Sequence, residues 1–288
     1  MAAELVDLET LVRDSHELDP LPQSSVRLAG ILARENWDLD AINEVVRLDE
    51  ALTGRLLSAA NSVRSGARTE ITSVEQAVVR LGAATVLSLA VGAAVRGSLE
   101  RVLPSFGIGE GELWRHSVAS ALAIELARGY VSRPVPPQAF ATALLHDVGK
   151  LVLERHLDDH SAELLRHARA EGNLPEDKAE LAVFQVSHAE VGAMIVRAWG
   201  LPECIACGVQ YHHDPLQAPD EEGRHLAYLI GLADAVAIQI GEPCGETIIR
   251  SGLSPDVAGA LGLPRAKFDE LCEKTTEQLE LVLEQYAG

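Results

Sequence analysis

The heptapeptide Leu144–Lys150 reads LLHDVGK, so an imidazole and a carboxylate stand side by side at the end of an apolar run. An unpaired carboxylate or imidazolium inside a protein costs several kcal/mol, and such groups normally pair or bind a metal. Any fold of this chain must therefore bring partners to His146 and Asp147 from elsewhere. Four other places offer them. Glu112 and His116 are one helical turn apart and share a face. His188 stands in VSHAE, His212 and His213 are adjacent, and Asp234 follows Leu229, Ile230 and Leu232.

Neutral imidazole with carboxylate is the donor set of iron, manganese, zinc or nickel, and these groups exceed what one ion needs. Two divalent ions are therefore expected. At a separation of roughly 3.5 to 4 Å they could share a hydroxide for in-line attack on phosphorus. Asp147 would bridge, and Lys150, three residues on, would be a point charge for a phosphate oxygen. Each group alone also fits a structural role. Asp234 fits an arginine pair, Lys150 fits the C-terminal end of a helix dipole, and any one histidine fits a hydrogen-bonded core position. His156, His160, His167 and His225 lie in polar contexts and are read as solvated.

The chain has 288 residues, 47% of them hydrophobic and only 4% aromatic, enough for one large domain or two packed lobes. Ala, Leu and Val dominate without strand-type alternation, which predicts an all-α protein. A net charge of -19 disfavours nucleic-acid and anionic-membrane partners. A metal-charged or cationic pocket can still hold a small phosphorylated ligand. The opening MAAELVDLETLVRD lacks the basic and apolar regions of a signal peptide, and the window from Ala83 to Val95 is too short to span a bilayer. A cytoplasmic protein is expected. The cysteines at 204, 207, 244 and 272 are too dispersed for a disulfide framework, and Cys204 and Cys207, though spaced as in a zinc knuckle, are read as core thiols.

Helix boundaries have mechanisms. Pro22, Pro175, Pro202 and Pro255 suit first turns, with Ser254 as a cap. Thr72-Ser73-Val74-Glu75 matches a capping box, and Leu52, Leu56, Leu57 and Ala60 form one stripe of a helix opened by Asp49-Glu50. A final helix is expected from Arg265 to Gln285. Nine of the ten histidines follow the segment Leu103–Gly109, the best candidate joint. Residues 1–104 are therefore read as an N-terminal lobe of five or six helices, and residues 105–288 as the lobe carrying the site.

The order H, HD, D along a helical chain resembles the HD superfamily of metal-dependent phosphohydrolases. The tandem histidine and HDxxK are similar to the expanded ligand set of HD-GYP phosphodiesterases. That likeness implies a two- or three-iron centre which Glu112 would join. The Gly-Tyr-Pro element that contacts cyclic di-GMP in that family is missing, since His212-His213 continues Asp214-Pro215-Leu216-Gln217.

The whole chain more closely resembles the HDOD domain, an HD-related output domain of bacterial signalling proteins. LDPLPQ from Leu18, LTGRLLSAANS from Leu52 and ITSVEQAVVRLG from Ile71 are similar to its N-terminal signatures, and LWRHS, LLHDVGK, HAEVG and WGLP continue them in order. The resemblance implies an HD-type helical bundle with an extra N-terminal helical lobe. It also implies a regulatory output module acting mainly through contacts with signalling proteins, here with its metal ligands retained. The alternative is a metal-dependent phosphohydrolase acting on a nucleotide or cyclic dinucleotide, with Asp147 and Lys150 as catalytic groups.

Overall fold

A computed structural model of the protein describes residues 10–11, 13–14, 18–34, 36–61, 71–170, 174–242 and 253–286. Among these residues every regular element is helical, and the extended pairing is an isolated bridge between Leu103 and Ile108. The expectation of an all-α fold holds. No single helix among the described residues is long and apolar enough to cross a membrane.

Among the described residues, helices α1 (Gln23–Leu32), α2 (Leu39–Arg47), α3 (Glu50–Asn61), α4 (Val74–Leu81) and α5 (Ala83–Leu99) precede the bridge. Asp38 caps α2 through the Asp40 N–H, and Asp49 opens α3 by accepting from the Leu52 N–H at 2.9 Å. The cap of α4 is Ser73, which accepts from the Gln76 N–H, so the cap lies one residue later than the Thr72 to Glu75 pattern suggests. Both Thr72/Glu75 and Ser73/Gln76 satisfy the rule, and the chain uses the second.

After the bridge come α6 (Glu112–Ala127), α7 (Ala139–Leu145), α8 (Lys150–Leu153), α9 (Asp159–Ala170), α10 (Glu176–Phe184), α11 (His188–Ala198), α12 (Glu203–Gln210), α13 (Glu221–Gln239), α14 (Pro255–Leu261) and α15 (Arg265–Tyr286). Pro255 takes the first turn behind Ser254 as expected. Pro22, Pro175 and Pro202 instead sit one position earlier, as the last non-helical residues, with ψ of 142, 154 and 144°. Proline fixes φ but leaves ψ free, and so serves either place.

Helix α6 is the axis of the later bundle, packed against α7, α13 and α15, while α5 packs on α7 and joins the earlier helices to it. Leu28, Leu56 and Val91 belong to one connected core with Leu144, Ile230 and Phe268. The segment read as a joint is tied down. Leu103 and Ile108 exchange both backbone bonds, Glu154 accepts from the Ser105 N–H and hydroxyl, and the Arg169 guanidinium lies over the Phe106 ring at 5.4 Å.

Two of the four histidines read as solvated are exposed, His160 and His167. His225 is buried, with its Nε2 3.0 Å from the Pro134 carbonyl, and His156 is half-buried beside Asp14. Local polarity misled because both residues face a neighbouring segment far away in sequence. Cys204 is half-buried and Cys207 and Cys272 are buried free thiols, consistent with core positions; Cys244 lies outside the described residues.

Gly149 lets two helix termini touch: a Cβ there would stand 1.9 Å from the His188 carbonyl oxygen and 2.6 Å from the Gly192 nitrogen. Both obstacles are backbone, so neither can swing away. Gly149→Ala should therefore lower the unfolding free energy by about 3 kcal/mol or more. Gly54→Ala, on an exposed face of α3 with nothing within 4 Å, should be neutral or stabilise by up to about 1 kcal/mol. Urea titration measures both, and equal losses would contradict the close-approach argument.

Candidate metal centre

Four helices and two turns deliver the polar groups to one place. His116 lies within α6 and Asp234 within α13, while His146 and Asp147 occupy the turn between α7 and α8. His188 is the first residue of α11, fixed by a capping box in which Ser187 and Glu190 satisfy each other's backbone N–H groups. His212 and His213 follow the end of α12. Between α10 and α11 the chain turns at Gln185, a left-handed residue with φ of 62°, which brings Glu180 of α10 against His188.

The imidazoles form a connected chain. Ring centroids are 5.1 Å apart for His116–His146 and His146–His212, 5.6 Å for His188–His212, 5.0 Å for His188–His213 and 3.9 Å for His212–His213. Four of the five are pinned by Nδ1. That atom lies 2.7 Å from the Glu242 carbonyl in His116, 2.7 Å from the Ala143 carbonyl in His146 and 2.6 Å from the Val209 carbonyl in His212. In His188 it faces both oxygens of Glu180, at 2.8 and 2.7 Å. An acceptor at Nδ1 places the hydrogen there and leaves Nε2 as a lone pair, the tautomer that a metal-ligating histidine needs.

Those Nε2 atoms converge. His116 and His146 approach to 3.1 Å through them, and His188 and His213 to 3.0 Å. Asp147 lies 3.1 Å from His188 Nε2, and Asp234 lies 3.4 Å from His116 Nε2. The lone pairs of His116 and His146, both anchored at Nδ1, need a positive charge between them at their 3.1 Å separation, either a shared proton or a cation. His212 Nε2 is buried without a hydrogen-bond partner. Three overlapping groups each bring donor atoms within 4.8 Å of one another: His116 with His146 and Asp234, His146 with Asp147 and His212, and His188 with His212 and His213. The cluster fits metal binding.

Seven of the eight residues expected as ligands therefore meet. The eighth, Glu112, does not join them: its exposed carboxylate turns back to accept from the Gly109 N–H at 2.8 Å, where it serves the unsatisfied donors ahead of α6. Lys150 is buried, and its Nζ lies 2.8 Å from Asp147 and 2.9 Å from Glu176. As placed, it neutralises the cluster rather than facing an incoming phosphate.

Sequence reading missed Glu176, Asp177 and Glu180. Glu180 is fully buried and also accepts from the His188 backbone N–H at 2.7 Å. Glu176 joins Lys150 to Arg169, and Asp177 is buried nearby, its carboxyl held below the usual range, against the cost of burial, by the charges of His213 and Lys178. The available signal was Glu180 standing between Ala179 and Leu181 in an otherwise apolar run.

The titration behaviour follows from this geometry. Burial opposes charge on His116, but the Asp234 and Asp147 carboxylates raise its pKa, while burial holds His146 down at about 4. The pair thus behaves as one proton shared between two nitrogens. Burial and the neighbouring imidazoles keep His212 well below its ordinary value. In His188 burial is overcome by Glu180 and Asp147, and the pKa is pushed up to about 10. Burial raises Asp234, yet the His116 contact brings it to about 2.

The family model for the HDOD domain matches residues 18–215. An uncharacterized protein of Treponema pallidum (strain Nichols) is 30% identical over 245 residues, which is 82% of this chain and 46% of the relative; the chain spans about half the length of that curated protein. The crystal structure of an HDOD domain protein of unknown function from Geobacter sulfurreducens shares the fold at 22% identity, with a TM-score of 0.65 over 97% of this chain and 96% of that one. A candidate phosphohydrolase from Shewanella amazonensis SB2B is 25% identical, with a TM-score of 0.61 over 93% of each chain. A candidate signal transduction protein from Marinobacter aquaeolei VT8 is 23% identical, with a TM-score of 0.73 over 96% of this chain and 64% of that one.

Because burial holds the folded pKa of His146 at about 4 and that of His212 well below 6.5, their contribution to stability is present above pH 6.5 and is lost as pH falls below it. His188, raised to about 10 from 6.5, contributes below pH 6.5 and loses that contribution as pH rises toward its folded value. Chelator-stripped protein should accordingly be most stable near pH 6.5. Urea midpoints from about pH 4.5 to about pH 9.5 check this, and a profile rising steadily with pH would contradict it.

Proposed function

Because the chain belongs to the HDOD family, we propose that it is a signal-transduction output module whose histidine–aspartate cluster holds divalent metal and which acts mainly through contacts with other signalling proteins. The observation that carries the metal assignment is the inward set of Nε2 atoms, each backed by an Nδ1 anchor in His116, His146, His188 and His212. His116, His146, Asp147, His188, His212, His213 and Asp234 would be the ligands. Overlap of the three groups through His146 and His212 favours two ions sharing ligands. Imidazole and carboxylate donors suit iron, manganese, zinc or nickel, and the resemblance to HD-GYP phosphodiesterases puts iron first. The regulatory reading draws on the family and on the likeness in fold to a candidate signal transduction protein.

A second reading, a phosphohydrolase, has its own support. The candidate phosphohydrolase of Shewanella amazonensis has 25% of its sequence in common with this chain along nearly the full length of both. His213 is exposed and the Asp234 side chain is 20% exposed, so solvent reaches one side of the cluster. Metal bound there would polarise a phosphoryl oxygen and acidify water. In that case Asp147 would be a ligand next to the reacting atoms, and Lys150 would have to leave Asp147 or Glu176 to touch substrate. The sequence Asp214-Pro215-Leu216-Gln217 in place of Gly-Tyr-Pro weighs against cyclic di-GMP as that substrate.

Metal analysis of the purified full chain tests the centre, and a phosphoester panel with added manganese or iron separates the two readings. Metal retained without turnover supports the output module; turnover abolished by Asp147→Ala establishes the enzyme. Loss of bound metal in His146→Ala and His212→Ala is expected, and unchanged metal content in both would remove the assignment. Glu180→Gln should weaken metal affinity by about 10- to 100-fold, as loss of a carboxylate behind a ligating histidine generally does. A competition titration with a chromogenic chelator measures it.

A further inference from the structure

A cavity of about 1150 Å³ opens elsewhere in the molecule, between α3, α4 and α5 on one side and α6, α7 and α15 on the other. None of its lining residues belongs to the histidine–aspartate cluster. In a chain of net charge -19 its lining is cationic: Arg55, Arg80, Arg96 and Arg128 contribute, against Glu125 as the acidic residue among them. Arg55, Arg80 and Arg128 are exposed, and Arg96 keeps 36% of its side chain accessible while meeting Glu100 at 2.7 Å. Even with Arg96 paired to Glu100, the lining carries more guanidinium than carboxylate groups, a local reversal of sign that draws anions.

The remaining walls favour a particular kind of anion. Trp37 and Phe140 supply flat apolar surface, and the start of α5, at Gly82, has no side-chain cap, so its first N–H groups border the same space. The volume lies at the upper end of small-molecule sites, which run to roughly 1,000 Å³. Guanidinium groups bind phosphate through paired N–H donors, and aromatic faces accept a base.

We propose that this cavity is a binding site for a nucleotide-class organic phosphate, separate from the histidine cluster. The phosphates would lie against the arginines and the base against the flat face of Trp37 or of Phe140, which line the cavity from its two walls. The proposal does not depend on the metal assignment. Arg55 on α3 and Arg128 at the end of α6 hold the site from its two sides, which makes the earlier helices and the bundle joint contributors to one pocket.

Fluorescent mant-ATP is titrated into the full chain after chelator treatment, with unlabelled ATP, inorganic pyrophosphate and an oligoglutamate peptide as competitors. Mant-ATP should bind with a Kd below about 1 mM, and pyrophosphate should compete less well than ATP. Arg55→Gln combined with Arg128→Gln should weaken binding at least about tenfold. His146→Ala should leave it unchanged. Ser58→Trp, at an exposed lining position, should block the cavity without removing any charge. Circular dichroism reports whether each variant folds. No saturable binding of mant-ATP, binding untouched by both cavity variants, or displacement by oligoglutamate but not by unlabelled ATP would each overturn the proposal.

Discussion

Placing imidazoles and carboxylates inside an apolar helical core is costly, and the arrangement around His146 and Asp147 follows from meeting that cost. Asp147 is almost fully buried, and Lys150 and His188 stand against its two oxygens. Lys150 in turn needs Glu176, which needs Arg169, which lies over Phe106 in the tied loop after α5. One buried carboxylate thus extends a network of alternating charge from the bundle centre to the segment that links it with the earlier helices. The four Nδ1 anchors complete the arrangement by orienting each ring before any ligand arrives, and so the rings need little reorganisation to accept a cation.

The helical class and most of the clustered histidines and aspartates were legible because both depend on local patterns. Periodic Ala, Leu and Val without alternation has few other solutions, and a histidine or aspartate flanked by leucines advertises its burial. Glu180 carried the same mark between Ala179 and Leu181, yet it reads as an ordinary helical carboxylate until α11 is seen to bring His188 onto it. Glu112 shows the opposite limit. Its position one turn before His116 suits the cluster, but the free N–H groups ahead of α6 compete for the carboxylate and win. His225 was misread because the group that faces it, the Pro134 carbonyl, lies 91 residues away.

The arginine-lined cavity was not legible either. Arg55, Arg80, Arg96 and Arg128 sit on four different helices or their ends, each among ordinary surface residues, and only the packing of α3 to α6 gathers them. Its sign runs against the average field of the chain, so composition argued away from the place where an anion would be drawn.

The contact of Gly149 with the first turn of α11 has a mechanical consequence. With no side chain between them, the turn bearing His146 and Asp147 and the helix bearing His188 interlock backbone to backbone, and neither can slide along the other without a collision. Three of the seven clustered residues therefore travel as one stiff body. The rest of the cluster is placed against that body from other elements: His116 from α6, Asp234 from α13 and the tandem histidine from the end of α12.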